Sequence, residues 1–348
     1  MSINEMIIGL FAESTGDGKG DPESVRRMLD GKTSYWRRKR AMDFIKSVMS
    51  GHGKEDLLPT VAELARVEQR IKELAPWARD HVVHAVLCYV LGTTISNNYF
   101  SQNGRIEVDT FQWKLASLFH DVGYPVQLAK KVWHPFADKI NHIGEQAGAT
   151  FDKVVFQLVP QNLDKLLNNQ NSLSLIQARL NNWQLQIDVA AEYNNRISTG
   201  EVCHGMVSAL AVLKCVDFLY QQYNHRREHY DIFTSGTINW NQDYFENDVV
   251  SACSAIFIHN LPSASFDTAK IDRRVAPLAF LLKLSDSLQE WQRPSMKEPT
   301  GLPAENFDLV IDHSRMVLRA NISDDRIEEI NADIQGALVA PDIGVVKM

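Results

Sequence analysis

Apolar residues recur at steps of three and four along most of this chain, and that spacing restricts it to packed amphipathic helices. Between residues 59 and 74 they fall at Val61, Leu64, Val67, Ile71 and Leu74. Side chains so spaced share one face of a 3.6-residue helix. A second helix is expected from Pro76 through Val82, Val83, Val86, Leu87 and Val90 to Leu91, and a third over 108–120. Helical patterns continue over 125–148, 151–168, 172–195, 203–223, 244–259 and 273–292. Residues 1–12 suit a short helix or strand, and 23–50 read as helix broken near Gly31. Only 307–312 and 316–322 read as strand; they flank a His-Ser-Arg turn, which predicts a hairpin. A polar helix over 324–337 follows. The expected fold is an all-α helical bundle with a small C-terminal β-hairpin appendage. Its expected parts are a helical and loop segment over 1–58, a helical domain over 59–300 and the hairpin plus helix over 301–348. The stretch from Pro341 to Met348 does not read as a domain end, which points to a chain cut there.

With 348 residues, 45% hydrophobic and 23% charged, the chain has an ordinary globular composition and enough length for a sizeable core. A net charge of -7 and a pI of about 5.9 argue against a broad basic face for duplex nucleic acid. The one basic run, Trp36-Arg-Arg-Lys-Arg40, is expected to be a solvated helix face. No apolar run approaches the roughly 20 residues that span a bilayer, and the N-terminus lacks the basic start of a signal peptide. Cys88, Cys203, Cys215 and Cys253 are scattered without CxxC spacing, so reduced, buried thiols and a cytoplasmic location are expected. The glycine-rich segment Gly16-Asp-Gly-Lys-Gly20 lacks the spacing of a phosphate-cradling loop.

The chemistry is concentrated elsewhere. His120 and Asp121 stand together at the end of an apolar helical segment, just before Gly123 and Pro125. One offers nitrogen and the other oxygen to a divalent metal. Burying such a pair unpartnered is costly, and a metal would remove that cost. His81 and His84 lie three apart on one helix face, His204 opens a strongly apolar helix, His259 closes another and Asp286 sits within a third. Taken singly, each has a plain explanation: a lone histidine on an apolar helix is more often a hydrogen-bonded core residue. Taken together, five helices each bring a ligand type to an apolar face or end, which is how bundles build metal sites.

The order His84, His120-Asp121, Asp286 resembles that of the HD-domain metal-dependent phosphohydrolases. The segment Leu118-Phe-His-Asp-Val-Gly-Tyr-Pro125 resembles the text around that family's His-Asp doublet. Residues 281–294, with Ser285-Asp286 and Gln289-Glu290-Trp291, resemble the helix that supplies its last Asp. The resemblance covers roughly residues 77–295. It implies an all-α fold, one or two divalent ions (Mn, Fe, Co, Ni, Zn or Mg) and hydrolysis of a phosphomonoester or phosphodiester. The implied substrate is small and phosphorylated, often a nucleotide.

The resemblance makes His84, His120, Asp121 and Asp286 the mononuclear ligand set. Either His81 or His84 supplies the first ligand; Ala-Val-Leu-Cys after His84 favours that residue and leaves His81 to support a ligand or touch substrate. His204 and His259 match the added histidines of binuclear relatives, in which Asp121 would bridge two ions. The implied catalytic residues are Asp121, orienting the nucleophile, and His204 or His259, binding the second ion or protonating the leaving oxygen. Lys283, Arg273, Arg274 and Arg293 are candidates to neutralise phosphate. Residues 126–202 form a helical insertion relative to compact members. Gly123-Tyr-Pro125 directly follows the doublet, unlike the Gly-Tyr-Pro motif of the family's phosphodiesterases, and no lysine follows closely. A non-catalytic ligand-binding module and a nuclease acting on nucleic acid are the alternatives. Membrane binding is not expected, and the sequence does not set the oligomeric state, although acidic all-α enzymes of this size often self-associate as homo-oligomers.

Overall fold

A computed structural model describes residues 3–13, 20–31, 33–50, 54–74, 79–101, 106–128, 142, 162–167, 170–201, 203–229, 244–293, 301–312 and 314–348. Within them the chain is mostly helical and ends in a small sheet. The N-terminal helices are α1 (Ile3–Glu13), α2 (Pro22–Leu29), α3 (Ser34–Ser50) and α4 (Leu58–Leu74). Next come α5 (His81–Ile95), α6 (Thr110–Phe119), α7 (Ser172–Asn182), α8 (Val189–Thr199) and α9 (His204–His229). The series closes with α10 (Val250–His259), α11 (Pro277–Leu288) and α12 (Asp324–Ala337).

Cap chemistry fixes several boundaries that periodicity alone misplaced. The helix expected from Pro76 begins instead at His81, because the Asp80 side chain accepts the Val83 amide at 3.3 Å as its N-cap. Asp109 caps α6 through the Phe111 and Gln112 amides, and His120 is its C-terminal boundary. The single helix expected over 172–195 is two. Gln184 turns the chain with a φ of 58°, and Asp188 then caps α8 through the Ala191 amide. The expected helix over 151–168 lies mostly outside the described residues. Its end, 162–167, is a turn held by Asp217, which accepts the Leu167 amide at 2.7 Å.

The core is centred on α10, whose ten residues are all buried. A helix apolar all round must be surrounded, and α6, α7, α9 and α11 pack against it. Helix α5 packs on α6 and α11 and completes the bundle. Two glycines let its ends close on one another. A Cβ at Gly205 would lie 2.9 Å from the Ile256 carbonyl and 3.0 Å from the His259 ring. A Cβ at Gly123 would meet the Ser208 amide nitrogen at 2.6 Å. Both positions therefore require the absence of a side chain.

The basic run is only partly solvated. Arg38 lies on the same stripe of α3 as the buried Ala41 and Ile45, so it turns inward. There it pairs with Asp80 at 3.0 Å, while Lys39 and Arg40 remain exposed. Cys88, Cys203 and Cys253 are buried, Cys215 is half-buried, and all four thiols are free. Among the described residues, no single helix is long and apolar enough to cross a membrane.

The hairpin is present as β1 (Phe307–Ile311) and β2 (Met316–Ala320), antiparallel with Phe307 opposite Ala320. It is not an appendage. A third strand, β3 (Ile343–Lys347), runs parallel to β2 after the α12 crossover, with Met316 opposite Ile343. Helix α12 packs on α11 and β1 packs on α1, so the sheet shares the bundle's core. β3 escaped sequence reading because it is five residues long and its partner lies beyond a whole helix.

Candidate metal centre

All six residues proposed from the sequence as metal ligands meet where the ends of α5, α6, α9, α10 and α11 converge. His84 Nε2 stands 3.2 Å from His120 Nε2 and 2.9 Å from Asp286 Oδ1. Asp121 Oδ2 faces the same pair, 3.4 Å from His120 Nε2 and 3.7 Å from His84 Nε2. The other carboxylate oxygen, Asp121 Oδ1, faces a second pair, 3.1 Å from His204 Nε2 and 3.9 Å from His259 Nε2. Those two nitrogens are 3.3 Å apart. Asp121 thus divides the site into two compartments and offers one oxygen to each.

The hydrogen bonds behind the imidazoles decide what the fronts can do. His120 Nδ1 donates to the Ser117 carbonyl at 2.7 Å, and His259 Nδ1 to the Ile256 carbonyl at 2.6 Å. A neutral imidazole whose Nδ1 carries the proton presents Nε2 as a bare lone pair. His84 Nδ1 lies 2.6 Å from Gln289 Oε1. The orientation of that amide follows from its other partners. Arg79, which can only donate, bonds Oε1 through Nη2, and the Gln289 amide nitrogen donates to the Trp291 carbonyl at 2.8 Å. The oxygen therefore faces His84, Nδ1 must be the donor, and Nε2 carries no proton. With both rings in their neutral forms, His84 Nε2, His120 Nε2, Asp121 Oδ2 and Asp286 Oδ1 converge as four acceptors. A cation satisfies such a set, and the mixed nitrogen and oxygen donors suit a divalent metal.

The second compartment is built alike on the His259 side. His204 Nδ1 is 2.6 Å from Gln127 Oε1 and 3.3 Å from Asn260 Nδ2. Among the described residues, one ligand atom each from His120, Asp121 and His259 lies within 4.8 Å of the others. The same holds for His84, Cys88, His120 and Asp286. Cys88 fits less well. Its Sγ is 3.5 Å from Nδ1 and 3.4 Å from Nε2 of His84, so it packs against the ring rather than on the Nε2 lone-pair axis. Burial also pushes its thiol pKa well up, which disfavours the thiolate a metal needs.

Electrostatics agree with a cation site. Burial first of all pushes His81, His84 and His259 down to about 3, so their rings are neutral. Burial alone would raise Asp121, but positive charge around it, at His120 and His204 foremost, holds its carboxyl well below the usual range. Asp286 is likewise held low against burial, first by the hydrogen bond it accepts from His84 when that ring carries a second proton; a bound cation would take that proton's place.

His84, not His81, supplies a nitrogen to the first compartment. His81 stands behind it: Nδ1 bonds Glu68, a buried carboxylate on α4 that also accepts the His81 amide at 3.0 Å. Its Nε2 is 4.0 Å from Asp121 Oδ2, and its ring stacks on Tyr124 at 3.5 Å. Of the expected phosphate contacts, Lys283 is tied to Asp333 and Arg273 to Asp342. Arg274 is exposed, and Arg293 pairs with Glu290. Sequence reading missed Arg79, Gln127, Gln289 and Glu68. Gln289 carried a signal, one helical turn beyond Asp286; Glu68 carried none, since a charged residue on an amphipathic helix usually faces solvent.

No family model, curated protein or solved structure matches this chain.

Proposed function

We propose that the protein is a metal-dependent phosphohydrolase of the HD-domain type, cleaving a phosphomonoester or phosphodiester bond, in a nucleotide, with a metal-activated water. The observation that carries the reading is the convergence of proton-free acceptors from His84, His120, Asp121 and Asp286, in the chain order that resembles this family. A divalent ion held there would lower the pKa of a water and draw charge from a phosphoryl oxygen. Asp121, with one oxygen toward each compartment, is the residue that would serve two ions and orient the nucleophile. His204 and His259 supply the second compartment. His81 stands beside this set, because Glu68 holds its Nδ1 and its Nε2 faces Asp121 without joining the convergent ligands. Asp286, 25% exposed, and His204, 11% exposed, mark the side from which substrate would enter.

Elemental analysis of the purified chain, followed by a phosphate-release screen over nucleotides and phosphodiesters with the metal found, tests the proposal. Release that disappears in Asp121→Ala supports it. Metal-replete protein inactive across the panel, with Asp121→Ala indistinguishable from the native chain, would sink it.

A further inference from the structure

Asp286 is the most exposed of the six ligand-type residues and sits in the last turn of α11, where helices fray. The C-terminal unit holds that turn in place. Asp333, on α12, accepts hydrogen bonds from Ser287 Oγ at 2.7 Å and from Lys283 Nζ at 2.8 Å. Lys283 and Ser287 are four residues apart and share a face of α11, next to the line of Asp286. Just past the helix end, the buried Glu290 takes Arg326 Nη2 at 2.7 Å and Nε at 3.1 Å. Before the helix begins, Arg273 reaches Asp342 at 2.9 Å and 3.1 Å. Helix α11 is therefore held before, beside and after the ligand by residues from 326 to 342. A lysine–aspartate pair with Lys283 buried and Asp333 partly exposed is a poor source of stability, since screening and desolvation offset much of the attraction. Its directional hydrogen bonds do fix geometry.

We propose that Asp333 is a positioning residue for Asp286, acting through Ser287 and Lys283, so that the C-terminal unit belongs functionally to the metal centre without reaching it. The inference rests on the metal reading above. Its test is Mn²⁺ binding to the full chain by calorimetry, for Ser287→Ala and Asp333→Asn, beside the urea midpoint of each metal-free variant. Ser287→Ala removes one hydroxyl and leaves Lys283 paired, so it is the variant that keeps the fold. Both should bind Mn²⁺ about 10- to 100-fold more weakly, the range typical of groups that orient a ligand. The metal-free midpoint of Ser287→Ala should stay close to that of the native chain. In an Asp286→Asn background, adding Ser287→Ala should cost no further affinity. Native affinity in both variants, or a Ser287→Ala loss undiminished when Asp286 is gone, overturns the positioning role. A native chain that binds no Mn²⁺ overturns the metal reading, and this inference with it.

Discussion

At the scale of single residues, the decisive feature is where protons sit. Gln289 is pinned between a donor, Arg79, and an acceptor, the Trp291 carbonyl, and so imposes the Nδ1–H form on His84. Replacing it with Leu keeps the volume and removes the constraint. Gln289→Leu should weaken divalent-metal binding about 10- to 100-fold, measured by competition with a chelating dye. Unchanged affinity would mean the tautomer is set otherwise. The same buried rings give the metal-free protein a pH signature. His81, His84 and His259 are pushed by burial to about 3, whereas an unfolded histidine titrates near 6.5. Below that value the unfolded chain takes up protons that the folded chain refuses. The stability is full above about pH 6.5 and lost as pH falls toward 3, by up to about 1.4 kcal/mol per pH unit for each histidine. Urea midpoints in chelator at pH 7 and pH 5 measure it, and a flat profile contradicts it.

At the scale of elements, the site depends on how closely helix ends approach. Gly205 lets the start of α9 reach the end of α10, which puts His204 beside His259. Gly205→Ala should destabilise the fold by about 1–3 kcal/mol through overpacking and separate the two imidazoles. Thermal unfolding reads the first effect and metal stoichiometry the second; a variant with native values for both would show that α9 has room to shift. The elements also show what periodicity can deliver. Helices α4 and α6 lie close to where apolar spacing put them, and α12 lies where a polar helix was expected. Helix α5 begins later than expected, because Asp80 caps it. The α7–α8 break depends on a left-handed Gln184, which apolar spacing does not record.

At the scale of the whole molecule, an ion in the first compartment would join α5, α6 and α11, and one in the second α6, α9 and α10, so metal should stabilise the entire bundle. At a free metal concentration 100 times Kd the gain is about 2.7 kcal/mol. It should appear as a urea midpoint that rises with metal and returns with chelator, and a midpoint indifferent to metal would argue against the site. The C-terminal sheet joins the same core, and Asn331 and Gln335 of α12 cover the open edge of β3 by bonding Val345 and Ile343.

The sequence by itself determined the helical character, most helix positions and the six ligand-type residues, because helix periodicity, capping and side-chain chemistry are local properties. Their convergence was expected from chain order but is a fact only of the packed bundle. Tertiary structure alone decided that Arg38 turns inward and that Arg79 and Gln289 fix a tautomer, and it placed His84 at the site with His81 behind it, which the sequence only favoured. It also decided that the C-terminal unit grips the Asp286 helix. Each of these rests on partners brought together from tens to hundreds of residues apart, such as His84 and Gln289, 205 positions apart. Local sequence carries no record of such pairings; burial and the satisfaction of polar groups create them when the helices pack.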